Sequence, residues 1–157
     1  MKRIICVAFP YFPTDRLRQS EIAKDLPNDA PIIIIKDNHG AKIVKACNKV
    51  AFNHGIKIGF NLAQCRVIIP NILVFDESPK EDYEALNRLA SWAMRYSPSC
   101  SINSYDPYYS LIIDITGASH LLGGEQKVLN DIIKRFKSIN IEVKASCTDN
   151  PLSAWAF

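Results

Sequence analysis

Short apolar runs alternate along the chain with longer amphipathic stretches, and residues 109–116 are the clearest of the runs. This run is rich in β-branched residues and ends at Gly117, which predicts a central β-strand. Strand alternation puts every second residue on a buried face, and this set is Tyr109, Leu111, Ile113 and Ile115. The opposite face mixes apolar and polar groups and is either a lightly covered surface or a site; it carries Ser110, Ile112, Asp114 and Thr116.

The same patterns predict the other elements. Further strands are expected at residues 3–8, 32–35, 72–75, 100–105 and 141–147. Helices are expected at residues 14–26, 42–54, 62–69, 78–96 and 125–138. Asn61 is an expected N-cap, and 38–40 is an expected tight turn. With residues 13–70 taken as an inserted lobe, the order becomes βαββαβ, so we predict an α+β fold of ferredoxin-like type.

Composition excludes several classes of protein. A chain of 157 residues with 48% hydrophobic and 22% charged residues is ordinary for a globular domain, and its charge of +3 permits a nucleic-acid partner without requiring one. The five cysteines are scattered without C-x-x-C or zinc spacing, which favours reduced thiols in a cytoplasmic protein. No signal peptide or membrane span is expected. Asn150 and Pro151 predict a helix start, so we expect a longer protein.

Lysines recur in the predicted helix 42–54. Lys42, Lys45 and Lys49 would share one helical face, and Lys57 follows shortly after. A solvated face is the commoner explanation of such a row, and contact with phosphate groups is the functional one.

Three segments in this order resemble the palm and fingers of Y-family translesion DNA polymerases. They are Val-Ala-Phe-Pro-Tyr-Phe at 7–12, the stretch 46–59, and Leu-Ile-Ile-Asp-Ile-Thr-Gly at 111–117. The stretches 9–17 and 113–125 resemble the catalytically degenerate accessory proteins of the ImuB type in particular. The resemblance implies a palm at 1–12 and 71–148, a fingers-like insertion at 13–70, and at 149–157 the start of a truncated helix that leads to a thumb.

The resemblance also implies where catalytic acids would stand. Active relatives carry Asp-x-Asp-x-Phe on the first strand, where this chain has Ala8 and Pro10. They carry Asp-Glu before the central strand, where this chain has Tyr109 and Ser110. Hard cations such as Mg²⁺ need carboxylate ligands, and these four residues offer none. Asp106 would come near the expected metal position only if the loop were registered differently. Asp114 is better explained as a strand-end residue that anchors a turn by accepting hydrogen bonds from backbone amides.

In the fingers, the positions that grip a triphosphate in active relatives fall on Lys49 and Phe52, and Phe52 is expected in the core. The sequence therefore predicts no catalytic residue, no metal site and no cofactor. Weak nucleic-acid or phosphate contacts are predicted at Lys42, Lys45, Lys49 and Lys57.

By resemblance, the function is that of a non-catalytic adapter in DNA-damage tolerance and induced mutagenesis. The implied partners are damaged or primed DNA, a sliding clamp, a RecA-like accessory protein and an error-prone replicative-type polymerase. The three protein partners would be contacted mostly through missing C-terminal regions. Two alternatives stay open. The chain is an active Mg²⁺-dependent translesion polymerase if the ligands are registered differently, or it is another regulatory or nucleic-acid-binding module on the same platform.

Overall fold

The computed structural model describes residues 2–105, 108–118, 120 and 122–149. The alternative ligand Asp106 and the predicted helix from Asn150 lie outside these residues. The chain divides into two compact units, unit 1 with residues 1–10 and 83–157 and unit 2 with residues 11–82. The elements in chain order are β1 (Ile4–Ala8), α1 (Phe12–Arg18), β2 (Ile32–Asn38), β3 (Ala41–Cys47), α2 (Lys49–Asn53), α3 (Leu62–Ile68), β4 (Leu73–Asp76), α4 (Pro79–Ala93), β5 (Cys100–Tyr105), β6 (Tyr108–Asp114), α5 (Glu125–Ser138) and β7 (Lys144–Thr148).

Unit 1 is built on an antiparallel sheet of four strands in the order β5-β6-β1-β7. Its strands and the helices α4 and α5 follow the βαββαβ order, so the predicted ferredoxin-like α+β fold is confirmed. One sheet face packs against helices, where the rings of Phe9 and Phe136 meet edge to face at 5.2 Å. All four residues predicted for the buried face of β6 and its end are buried; they are Tyr109, Leu111, Ile113 and Ile115.

Unit 2 contains a sheet of three strands in the order β3-β2-β4. The central strand β2 is buried on both faces, as its unbroken apolar run predicts. Ile33 and Ile35 pack with residues of α2 and α3, whereas Ile32 and Ile34 pack with Leu17 of α1. The α3 helix begins at the predicted cap, since Asn61 accepts from the Gln64 amide at 2.8 Å and a capping box closes the turn.

The helix predicted at 42–54 is wrong, because β3 occupies its first half and the short helix α2 its second. A two-residue turn joins β2 to β3, with φ of 54° at His39 and 87° at Gly40. Positive φ at both positions is the geometry of the tight hairpin turns that match strand twist. The predicted turn is therefore present, but it joins two strands and not a strand and a helix.

The structure also places β4 differently from the sequence-based boundary at 70/71. Leu73 and Val74 pair in parallel with Ile32 and Ile33 of β2, so β4 completes the sheet of unit 2. The start of α4 belongs to the same unit, which ends at Asp82.

A buried ion pair joins α1 to the start of α4 within unit 2. The Arg16 guanidinium donates to Asp82 at 2.5 Å and to Glu81 at 2.9 Å, and the side chains of Arg16 and Asp82 are only 11% and 2% exposed. A charge buried this far depends on its partner, because water cannot replace it.

We expect Arg16→Ala to lower the free energy of unfolding of unit 2 by roughly 3 kcal/mol, since it leaves the Asp82 carboxylate buried without its cation. The matched control is Glu21→Ala, which removes an exposed pair with Lys24 and is expected to cost less than about 1 kcal/mol. Urea denaturation followed by circular dichroism measures both variants. Equal costs would show that the buried pair contributes no more than a surface contact.

Candidate functional site: the cross-strand row of unit 1

Strand β1 brings together the two stretches in which, by resemblance, active relatives carry their catalytic acids. Ala8 lies directly opposite Ser110 of β6 on one side and opposite Lys144 of β7 on the other. Ser110 in turn lies opposite Asn103 of β5. Directly opposed residues of antiparallel strands project from the same face. These four residues, Asn103, Ser110, Ala8 and Lys144, form what we call the cross-strand row.

Burial falls along the row from one end to the other. Asn103 and Ser110 are 7% and 5% exposed, Ala8 is half-buried and Lys144 is exposed. The Ser110 hydroxyl is buried and has no hydrogen-bond partner among the described residues. An orphaned buried hydroxyl is uncommon in a folded protein and costs free energy, so this position is under-satisfied.

A divalent metal, which the resemblance to Y-family polymerases implies, does not fit the residues of the row. Mg²⁺ is held by several hard oxygen ligands, chiefly carboxylates, and the row offers a methyl group, an amide, a hydroxyl and an ammonium. Nor do the described residues contain a cluster of three or more His, Cys, Asp or Glu side chains that could hold a metal. The alternative ligand Asp106 lies outside the described residues.

Asp114 lies on the same face as Ser110, but its hydrogen bonds are made at the end of the strand. It is four residues further along β6, about 13 Å away at strand spacing. Its carboxylate accepts from the Thr116 backbone amide at 2.9 Å. Hydrogen bonds from the Thr116 side chain and backbone lower the pKa of Asp114. The interpretation of Asp114 as a turn anchor is confirmed.

The predicted row of lysines does not exist as one surface. Lys45 sits in a β-bulge, where the register shifts between Ile34 and Ile35, and its side chain is 3% exposed. Its ammonium pairs with Glu77 at 3.0 Å, so it is committed to the fold of unit 2. Lys42, Lys49 and Lys57 are exposed, the first on β3, the second on α2 and the third in a loop. Their phosphate contacts stay a prediction.

Two other expectations meet different outcomes. Phe52 is 53% exposed, so its placement in the core was wrong; Ala51 beside it fills the core.

All five cysteines are free, and burial raises the pKa of Cys47 to about 11. A thiol with so high a pKa is a poor nucleophile at neutral pH.

Sequence reasoning missed Lys144. The alternation of β7 could have put Lys144 and Ser146 on one face. Only the pairing with β1 reveals that this face is the one that carries Ala8 and Ser110.

Comparisons with known proteins support the fold. Solved Y-family polymerases share the fold: DinB from Sulfolobus solfataricus matches with a TM-score of 0.68 at 20% identity, over 94% of this chain and 42% of that one. An insertion ternary complex of Dbh DNA polymerase matches with a TM-score of 0.71 at 18% identity, over 98% of this chain and 44% of that one. At these identities the likeness defines the palm-and-fingers fold alone.

The sequence matches are more specific than the matches to solved structures. Residues 14–157 match the impB/mucB/samB family, and the chain belongs to it. It is also 33% identical over 103 residues to Protein ImuB of Caulobacter vibrioides, a stretch that covers 66% of this chain and 22% of that protein. No described helix is long and apolar enough to cross a membrane.

The orphaned hydroxyl of the row generates one stability prediction. Ser110→Ala removes a buried group that has no partner, so we expect it to change the free energy of unfolding by less than about 0.5 kcal/mol or to raise it. Ser97→Ala is the matched control, since Ser97 is 7% exposed and accepts from the Ser99 amide at 3.1 Å. That variant should lose about 1 kcal/mol. Chemical denaturation compares them, and a larger loss in Ser110→Ala would contradict the assignment.

A second prediction concerns acid stability. The folded pKa of Asp114 is lowered, so its contribution is present above the unfolded value of about 3.9 and is lost as pH falls through the folded pKa. Asp114→Asn should therefore flatten the fall of the urea midpoint below about pH 4. Part of the fall should remain, because Arg3 also lowers the pKa of Glu125. Parallel curves for the variant and the wild type would refute this role.

Proposed function

We propose that this protein is a non-catalytic homologue of Y-family DNA polymerases that acts as an adapter in DNA-damage tolerance and induced mutagenesis. The observation that carries the proposal is the pairing of Ala8 with Ser110. By resemblance, this is the place where active polymerases hold their metal ions, and here neither side chain is an acid. A polymerase needs paired divalent ions to hold the attacking and leaving oxygens.

The ImuB relative supports the accessory role, and its family supports the link to DNA damage. Because the chain covers only 22% of that relative, bridging of a sliding clamp, a RecA-like protein and an error-prone polymerase is proposed for the whole protein. For the two units in hand we propose a folded body with weak binding of primed or damaged DNA in the cytoplasm. Lys42, Lys49 and Lys57 are its candidate phosphate contacts, whereas Lys45 is left out because it is buried against Glu77.

The active polymerase remains the alternative from the enzyme class. It requires carboxylates to converge on the row from residues outside the described part of the chain, of which Asp106 is the candidate. One carboxylate is too few for two cations that each need several oxygen ligands.

The test is nucleotide incorporation on a primed template with Mg²⁺ or Mn²⁺, with an active Y-family polymerase as the positive control. We expect no extension above background, and calorimetry should detect no Mn²⁺ binding at millimolar metal. Extension that Asp106→Ala abolishes would establish the enzyme instead. Anisotropy of labelled primed DNA at low salt tests the weak binding, and a flat titration would remove that part of the proposal.

A further inference from the structure

Lys144 is the one charged member of the cross-strand row. It is exposed at the start of β7 and forms no salt bridge with any residue in the described part of the chain. Its opposite neighbour is Ala8, which has no side chain beyond the methyl group, so nothing bulky at that position blocks the lysine stem. The ammonium is thus free to lie over the middle of the row.

The neighbouring positions on this face do not neutralise that charge. The next row along the strands contains Ser101, Ile112, Cys6 and Ser146, all uncharged. Asp114 lies one further pair away and is engaged by Thr116. Glu142 is the nearest acid along the chain; it lies two residues before Lys144 and outside β7. Within the row and the next row along the strands, Lys144 is therefore the one charged side chain.

We propose that Lys144 replaces the divalent ions of the polymerase fold with a built-in cation, so that the row contacts a phosphodiester group of DNA without metal. Opposed residues on antiparallel strands have Cβ atoms about 5 Å apart, and a lysine stem is longer than that. An ammonium is a compact point charge that binds phosphate oxygens and repels Mg²⁺. The proposal rests on the proposed function in one respect, namely that DNA approaches this face of the sheet.

Lys144 would have an effect on metal binding that the loss of acids alone would not have. Returning one carboxylate to the row, as in Ala8→Asp, would give Lys144 a partner directly across the strand pair. The new acid would then form a cross-strand ion pair with the lysine and would not be left available for a cation. Lys144 is thus a second obstacle to metal binding, independent of the missing acids.

The first arm of the test measures binding of a short labelled single-stranded oligonucleotide by anisotropy in EDTA. We expect Lys144→Ala to weaken binding about three- to tenfold and to reduce the salt slope by roughly 0.7, the value for one phosphate contact on a single strand. Lys144→Arg keeps the charge and should stay within about twofold of the wild type. Lys137→Ala is the control, because Lys137 is exposed on α5, and α5 packs on the opposite face of the sheet through Phe136 and Phe9.

The second arm tests the geometry without DNA. Ala8→Asp should lower the urea midpoint less when Lys144 is present than in the Lys144→Ala background, and equal shifts would overturn the placement of the ammonium. The outcomes distinguish the two proposals. Binding in EDTA that Lys144→Ala and Lys137→Ala weaken equally defeats this inference alone. No binding with or without Mg²⁺ defeats it together with the proposed weak binding of DNA. Binding that needs Mg²⁺ defeats it together with the proposed absence of a metal site.

Discussion

The register of β1 is the constraint on which the rest of unit 1 depends. This strand pairs with β6 on one side and β7 on the other, and both pairings are antiparallel. A shift of one residue would move Ile5 and Val7, which are fully buried, to the face that carries the cross-strand row. The apolar residues that fix the core therefore also fix which side chains stand beside Ala8, and the chemistry of the row follows from packing on the other side of the sheet.

Fold class could be predicted from the sequence because strand alternation and capping are local signals. The face of Leu111 and Ile113 and the Asn61 cap were both correct for that reason. The prediction for 42–47 was wrong because the apolar spacing of this stretch fits a helix as well as a strand. The stretch is a strand because it pairs with β2 through a hairpin whose two turn residues both have positive φ. Phe52 was misplaced because hydrophobicity alone does not say which side of a five-residue helix faces the core.

The site was less predictable than the fold for a related reason. Identity at single positions, such as Ala8 and Ser110, is visible in the sequence, but the partners of each position depend on strand pairing over long separations. Lys45 illustrates this, since a lysine expected at a surface is enclosed at a bulge and neutralised by Glu77. Lys144 illustrates the reverse. In the sequence it is an ordinary surface lysine, and only the strand pairing shows that it lies across from Ala8.

Electrostatics explain why a palm that no longer holds metal would also lose the acids. Carboxylates crowded on one row repel one another and resist burial unless a cation neutralises them. Without the ions, such a row would destabilise the sheet that carries it, whereas the methyl group of Ala8 and the hydroxyl of Ser110 carry no charge that needs a cation. The Ser110 hydroxyl still costs free energy, because it is buried with no hydrogen-bond partner among the described residues. A lysine at the exposed end of the row fits the proposed function, because a row of neutral side chains would hold no cation that repels the ammonium.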